Sequence, residues 1–317
     1  MLKTSISGIT LDSCIYNSSG CWCTTTDELD QLVMSSSGGV ISKSNTITSR
    51  DGNCKPRLHL GNNISINSMG VPNLGYEIYT EYGNRLITDK PYMQSIIPFS
   101  IDELQLMLTN INKNISLFSK PRIIEINLSC PNIINKKIVG YDHDMFNKYL
   151  TIIDKYNTTN LVMGIKLPPY YELWEFDEIA SIIGKYNSIK FITCINSLVN
   201  GLVVDYDTET TVIYPKDGLG GIGGGCVKPI ALSNVNNFYK RLGNKIDIIG
   251  CGGVINGSDV FEHILCGATA VQVGTKLMIE GPDVFNRLNY ELIEIMNNKG
   301  YTNLDDFKGR LKTKQKN

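Results

Sequence analysis

The sequence predicts an α/β protein built as a (β/α)8 barrel, and three observations carry that expectation. The chain has 317 residues, enough for the ~250 of such a barrel with insertions to spare. Eight short apolar runs alternate with amphipathic stretches, the pattern of parallel strands crossed over by helices. The last two runs each pass directly into a Gly-rich turn, as barrel strands seven and eight commonly do.

The candidate strands are residues 13–17, 39–42, 93–99, 123–127, 161–166, 191–194, 246–250 and 270–273. They are short and, at their clearest, rich in β-branched residues, as strands buried on both faces are. The first helix, 26–36, has Asp27 and Glu28 in its first turn and Gly38 just past its end, matching charge to the helix dipole. Helical periodicity recurs at 101–111, 145–156, 174–186, 232–242 and 257–266, and 282–298 makes a final helix. Eight alternations fit a closed barrel better than a doubly wound sheet. No repeat, linker or low-complexity stretch marks a boundary, so one domain over 1–317 is expected. Long polar insertions at about 44–92 and 196–229 follow the second and sixth strands. Barrel enzymes build their active sites there, although plain surface loops would look similar.

Composition narrows the partners. Hydrophobic residues make up 42% and charged residues 19%, with a net charge of −1 and no basic block. That balance speaks against nucleic acid or an anionic membrane as the main partner. The N-terminus has no apolar signal-like segment and no run reaches the ~18 apolar residues of a membrane span, so a cytoplasmic protein is expected. Nine cysteines, an odd number, are scattered from Cys14 to Cys266. Neither Cys21-x-Cys23 nor the three histidines give a zinc spacing, so no metal is expected and most thiols read as buried and reduced. Asn-x-Ser/Thr triplets at Asn17, Asn114 and Asn157 read as chance matches.

Three constellations carry chemistry. Ile248-Ile-Gly-Cys-Gly-Gly253 and Val271-Gln-Val-Gly-Thr275 point to a phosphate held by backbone N–H groups. Either motif alone would be an ordinary tight turn; the pair is more specific. Gly218-Leu-Gly-Gly-Ile-Gly223 matches the dinucleotide fingerprint in letters, but it follows the polar stretch Tyr214-Pro-Lys-Asp217 instead of a buried strand. A flexible loop against a planar ligand fits it better than a Rossmann turn. Glu125-Ile-Asn-Leu-Ser-Cys-Pro-Asn132 ends the fourth strand, setting Cys130 between the amides of Asn127 and Asn132 where a thiol could serve as base or nucleophile. Lys43 and Lys166 each finish an apolar run. Such a lysine either snorkels to the rim or meets an anion. With Asn67 and Asn196 they suggest a small, polar, anionic substrate.

These segments, in this order and spacing, resemble the dihydroorotate dehydrogenase family, and its soluble class 1A branch in particular. The matching pieces are Ser42-Lys-Ser44, Arg50-Asp-Gly-Asn53, Pro56-Arg57, Asn67-Ser-Met-Gly-Val-Pro-Asn73 and Asn127-Leu-Ser-Cys-Pro-Asn132. They continue through Gly164-Ile-Lys166, Asn196-Ser197, Gly220-Gly-Ile-Gly-Gly224, Lys228-Pro-Ile-Ala-Leu232, Gly250-Cys-Gly-Gly253 and Val273-Gly-Thr275. The resemblance implies a TIM barrel with FMN and substrate at the C-terminal face of the strands. Cys130 would take the C5 proton of dihydroorotate while a hydride passes from C6 to N5 of FMN. Substrate would be held by Lys43, Asn67, Met69, Gly70, Val71, Asn127, Asn132, Asn196 and Ser197. FMN would be held by Ser19, Gly20, Lys43, Ser44, Asn127, Lys166, Asn196, Gly223, Cys251, Gly252, Gly253, Gly274 and Thr275. Fumarate would be the acceptor, leaving as succinate, and the protein would be a homodimer. The loop carrying Arg50 and Arg57, with Lys136, would lie over the pocket.

This chain departs from the family pattern at Ser18-Ser19-Gly20, where Ala-Ala-Gly is usual, at Cys21-Trp-Cys23, and at Val71 in place of Leu. None of these removes a catalytic group. An NAD-linked class 1B subunit and an FMN-dependent tRNA dihydrouridine synthase remain the alternatives. The second would need a basic face or an extra helical domain. A flavin-holding binding module without activity is the non-enzyme alternative.

Overall fold

The structure, a computed structural model, describes residues 1–113, 122–130, 137–158, 160–243 and 245–314. Eight strands form one parallel sheet: β1 (Ile15–Asn17), β2 (Val40–Ile41), β3 (Tyr92–Ile96), β4 (Arg122–Asn127), β5 (Leu161–Leu167), β6 (Ile189–Cys194), β7 (Asp247–Cys251) and β8 (Ala270–Val273). Hydrogen-bonded neighbours run β2-β3-β4-β5-β6-β7-β8-β1, so among the described residues only the β1–β2 seam lacks a backbone ladder. The Asn17 side chain bridges it: its Nδ2 donates to the Ile41 carbonyl at 2.7 Å and its Oδ1 accepts from the Ile41 N–H at 2.9 Å. One amide thus satisfies both backbone groups that a neighbouring strand would have paired.

Helices cross over between strands, α1 (Thr26–Met34), α2 (Tyr76–Arg85), α3 (Ile101–Lys113), α4 (His143–Asp154), α5 (Leu173–Ile183), α6 (Lys228–Leu242) and α7 (Gly257–Leu265), and α8 (Thr275–Glu280) and α9 (Val284–Lys299) follow the last strand. Seven of them lie where periodicity predicts. Helix α1 is fixed by a capping box in which Thr25 accepts from Glu28 N–H, and α7 by the equivalent Asn256–Asp259 pair, each satisfying orphan donors of the first turn. Helix α6 begins four residues before the predicted 232, because Pro229 suits a first helical turn and does not block it.

Strand residues alternate between two apolar clusters. Ile15, Val40, Ile96, Ile124, Ile126, Met163, Ile165, Ile192, Ile248, Val271 and Val273 pack outward against the helices. Tyr16, Ile41, Met93, Ile123, Val162, Phe191, Ile249 and Ala270, one from each strand, meet in a separate inner cluster. That is the period-two pleat of a filled barrel. Ile6 and Leu11 join the inner cluster from a hairpin, Thr4–Ile6 with Ile9–Leu11. Its two-residue turn, Ser7-Gly8, has positive φ at both positions, as a tight hairpin requires.

The two insertions do not stay as loops. Leu58–Leu60 and Ser65–Asn67 from the first pair antiparallel with Gly220–Gly223 and Leu198–Gly201 from the second, making one four-stranded sheet. The expected flexible Gly loop at 218–223 is therefore corrected: residues 220–223 are a strand. Its glycines reflect close packing, since a Cβ on Gly220 would sit 2.7 Å from the Asn67 carbonyl oxygen. Among the described residues no helix is long and apolar enough to cross a membrane.

Candidate active site

Above the apolar inner layer, the same strands turn polar residues inward. Glu125, Thr193 and Gln272 are fully buried, and Lys43, Asn127 and Lys166 nearly so. Lys43, Asn127, Lys166 and Gln272 floor a pocket at the C-terminal ends of the strands, with Glu125 and Thr193 hydrogen-bonded behind Gln272, and the inserted sheet roofs it through Leu58, Leu60, Ser65 and Ile222. Cys130 lies on its wall, half-buried.

Around Cys130 the amides and hydroxyls are tied together. Asn127 donates from Nδ2 to Ser44 Oγ at 3.0 Å, and its Oδ1 accepts from both the N–H and the hydroxyl of Ser129 at 3.1 Å. Asn196 donates from Nδ2 to Ser129 Oγ at 3.0 Å, while its Oδ1 accepts from Ser197 N–H at 2.8 Å. Ser44 continues the chain to Ser95 Oγ at 2.9 Å. Such bonds hold side-chain rotamers in place before a ligand arrives. Ser129 is a joint of this network that sequence reasoning noted only as a neighbour of Cys130.

Two lysines set the charge. Lys43 Nζ donates to the Gly20 carbonyl at 3.2 Å, and Lys166 Nζ donates to Gln272 Oε1 at 3.0 Å with Cys251 Sγ at 3.8 Å. Neither snorkels outward, so the pocket is built for an electron-rich or anionic guest. Burial raises the thiols of Cys14, Cys23, Cys194 and Cys266, Cys14 to about 12, which leaves them inert.

The glycine turns after β7 and β8 close the far end. Gly252 and Gly253 have φ of 123° and 79°, and a Cβ on Gly253 would sit 2.4 Å from Lys228 Cα. Only glycine lets the backbone lie this close. Thr275 Oγ1 meets Ser65 Oγ at 2.9 Å, joining this end to the inserted sheet. Behind the turn, His263 Nε2 lies 3.0 Å from the Gly252 carbonyl oxygen. Burial lowers the ring to about 4, so it is neutral near pH 7 and donates from Nε2 to that carbonyl.

The pocket gathers Ser19, Gly20, Lys43, Ser44, Asn67, Met69, Val71, Asn127, Cys130, Lys166, Asn196, Ser197, Gly223, Cys251, Gly252, Gly253, Gly274 and Thr275. Gly70 is not on its lining; it turns, with φ 71°, against Asn53. Asn132 and Lys136 lie outside the described residues. Arg50 and Arg57 brace their own loop and do not reach the pocket. Arg57 donates to the Asp51 and Asn53 carbonyls, and Arg50 reaches the Gly70 carbonyl at 3.4 Å and lies over the Phe99 ring. Gln272, which faces Lys166, and the apolar wall residues Ile195 and Val254 escaped the sequence reading.

Comparison with known proteins agrees with this geometry. Residues 1–296 match the family model described as dihydroorotate dehydrogenase. The chain is 45% identical over 313 residues, 98% of each chain, to a putative dihydroorotate dehydrogenase A (fumarate) of Streptococcus agalactiae. It is 44% identical over 319 residues, 98% of each, to the dihydroorotate dehydrogenase (fumarate) of Kluyveromyces lactis. To the dihydroorotate dehydrogenase A (fumarate) of Lactococcus lactis it is 44% identical over 99% of this chain and all of that one. In fold it is similar to the crystal structure of ligand-free DHODH from Eimeria tenella, with a TM-score of 0.81 at 20% identity, covering 98% of this chain and 91% of that one. A family match along nearly the whole length, borne on a barrel whose mouth gathers Cys130, two buried lysines and a ring of amides, makes this chain a member of the dihydroorotate dehydrogenase family.

Proposed function

We propose that the protein oxidises (S)-dihydroorotate to orotate in pyrimidine (UMP) biosynthesis, using bound FMN and returning the electrons to fumarate. The observation that carries this reading is Cys130 on the wall of one pocket with Lys43, Lys166, Asn67, Asn127 and Asn196. The close relatives named as fumarate enzymes support the acceptor. The residues suit FMN: glycine turns that admit no Cβ can cradle its phosphate, and two buried ammonium groups suit an electron-rich ring. When bound, FMN supplies hydride acceptance from C6 of the substrate and hydride return to fumarate.

The chain supplies everything else. Cys130 removes the C5 proton as general base. Asn67, Asn127, Asn196 and Ser197, with Asn132, hold the pyrimidine edges and carboxylate, and Met69 and Val71 assist. Orientation of this kind removes much of the barrier. Lys166 and Lys43 balance negative charge on the cofactor. Ser19, Gly20, Ser44, Gly223 and Cys251 line its ring, while Gly252, Gly253, Gly274 and Thr275 hold its phosphate. The inserted sheet keeps water from the site.

A second copy of this chain is proposed to cover the exposed apolar residues Leu202, Val204, Tyr206 and Tyr214 of the second insertion. A sedimentation mass of one chain would refute the dimer. Nine cysteines without a disulfide among the described residues support a cytoplasmic site of action. The deciding experiment is anaerobic mixing with dihydroorotate, followed by fumarate, NAD or a quinone in separate portions. Dihydroorotate is expected to bleach the flavin and fumarate alone to restore it. No bleaching refutes the activity, and restoration by NAD or quinone but not by fumarate refutes the acceptor.

A further inference from the structure

Glu125 places a carboxyl in the middle of the otherwise apolar run of β4, and the side chain is fully buried. Its Oε2 accepts from Thr193 Oγ1 at 2.8 Å and from Gln272 Nε2 at 2.9 Å. Gln272 also touches Tyr16 OH at 3.3 Å, and its Oε1 accepts from Lys166 Nζ at 3.0 Å. The orientation of this amide follows from chemistry, because an ammonium can only donate and a carboxylate only accept. Lys166, Gln272 and Glu125 therefore form a directed chain from the pocket floor into the barrel. A buried ammonium needs a counter-charge. Cys251 is nearer to Lys166, but burial raises its thiol above the ordinary 9.0, so at neutral pH it carries no charge.

We propose that Glu125 is the counter-charge of Lys166 and, through Gln272, a positioning residue that holds down the reduction potential of the flavin above it. The inference rests on the flavin reading of the pocket and deepens it. Reduction adds negative charge at the flavin, which Lys166 favours and the carboxylate below opposes. Inside a barrel that excludes water, this opposition is weakly screened. The polar middle layer thereby balances the site between taking electrons from one substrate and giving them to another.

The test is the midpoint potential of the bound flavin, measured by dye equilibration in the wild type, Glu125→Gln and Glu125→Asp. Gln keeps the acceptor toward Thr193 and Gln272 but loses the charge; Asp keeps the charge and alters the reach. Glu125→Gln is expected to shift the reduced-to-oxidised ratio roughly tenfold toward reduced, about 30 mV upward for a two-electron couple. Glu125→Asp should stay closer to the wild type. An unmoved potential in flavin-loaded Glu125→Gln, or an equal shift in both variants, would overturn the proposal. If Glu125→Gln does not fold, Glu125→Gln/Lys166→Met leaves no unpaired buried charge. It is then read against Lys166→Met, with a roughly tenfold shift toward reduced expected and equal potentials overturning the proposal. A wild-type protein that takes up no flavin on reconstitution would instead overturn the flavin reading itself, and the inference with it.

Discussion

At the N-terminal end of the barrel every strand turns one apolar side chain inward, and Ile6 and Leu11 of the hairpin plug the opening. Two positions along the same strands, Ile41 gives way to Lys43, Met93 to Ser95, Ile123 to Glu125, Phe191 to Thr193 and Ala270 to Gln272. Two further on, β4 and β5 present Asn127 and Lys166. The pleat is unchanged; only the chemistry of the inward positions differs. Apolar area removed from water stabilises the lower end. The upper end gives up that stabilisation to hold polar groups that need partners, and the excess of donors and charge there is what a ligand can use. Changes at the two ends should therefore separate stability from chemistry.

The largest effect should come from below. Phe191 fills the space beside Gly164, where a Cβ would sit 2.5 Å from its ring. Phe191→Ala is expected to cost about 3–5 kcal/mol in urea unfolding, while the folded fraction keeps its flavin potential and turnover. A large loss of specific activity in the folded fraction would break the comparison.

Next comes acid, acting behind the upper end. The folded pKa of His263, about 4, lies below its ordinary 6.5. The unfolded chain therefore binds the extra proton first, and stability falls as pH drops from about 6.5 to 4, by up to about 3 kcal/mol. His263→Gln should flatten that portion of the pH–stability curve; an unchanged slope would show that the ring is not held neutral.

At the seam, Asn17→Ala leaves the Ile41 N–H and carbonyl without their side-chain partner and should cost about 2 kcal/mol by chemical denaturation. A negligible change would mean that the barrel closes without this staple.

The smallest effect is confined to the mouth. Gly253→Ala meets the Lys228 backbone and should weaken FMN about tenfold, equivalent to about 1.4 kcal/mol, read by fluorescence titration. Unaltered FMN affinity would move the phosphate elsewhere.

Much of this was legible beforehand, for identifiable reasons. The eight strands announce themselves because burial on both faces demands continuous apolar runs. Cys130, Lys43 and Lys166 stand out because polar groups that end such runs are unusual. The N-terminal hairpin also left a signal, alternation around Ser7-Gly8, which the barrel count passed over. Helix α2 hid because its buried face is Tyr76, Tyr79 and Thr80, which do not read as an apolar stripe. The inserted sheet could not be read locally: Gly220–Gly223 lies between Leu198–Gly201 and Ser65–Asn67, and the second partner is more than 150 residues away. The link from Glu125 to Gln272 spans 147 positions. Only the lone acidic residue inside β4 hinted at it.

The central claim is that the mouth acts through Cys130 on a flavin-linked substrate, and rapid anaerobic mixing of Cys130→Ala with dihydroorotate tests it most directly. The account predicts a variant that retains FMN and wild-type stability but whose flavin bleaches about a hundredfold more slowly or worse, the scale of a lost general base. Bleaching at the wild-type rate would contradict it.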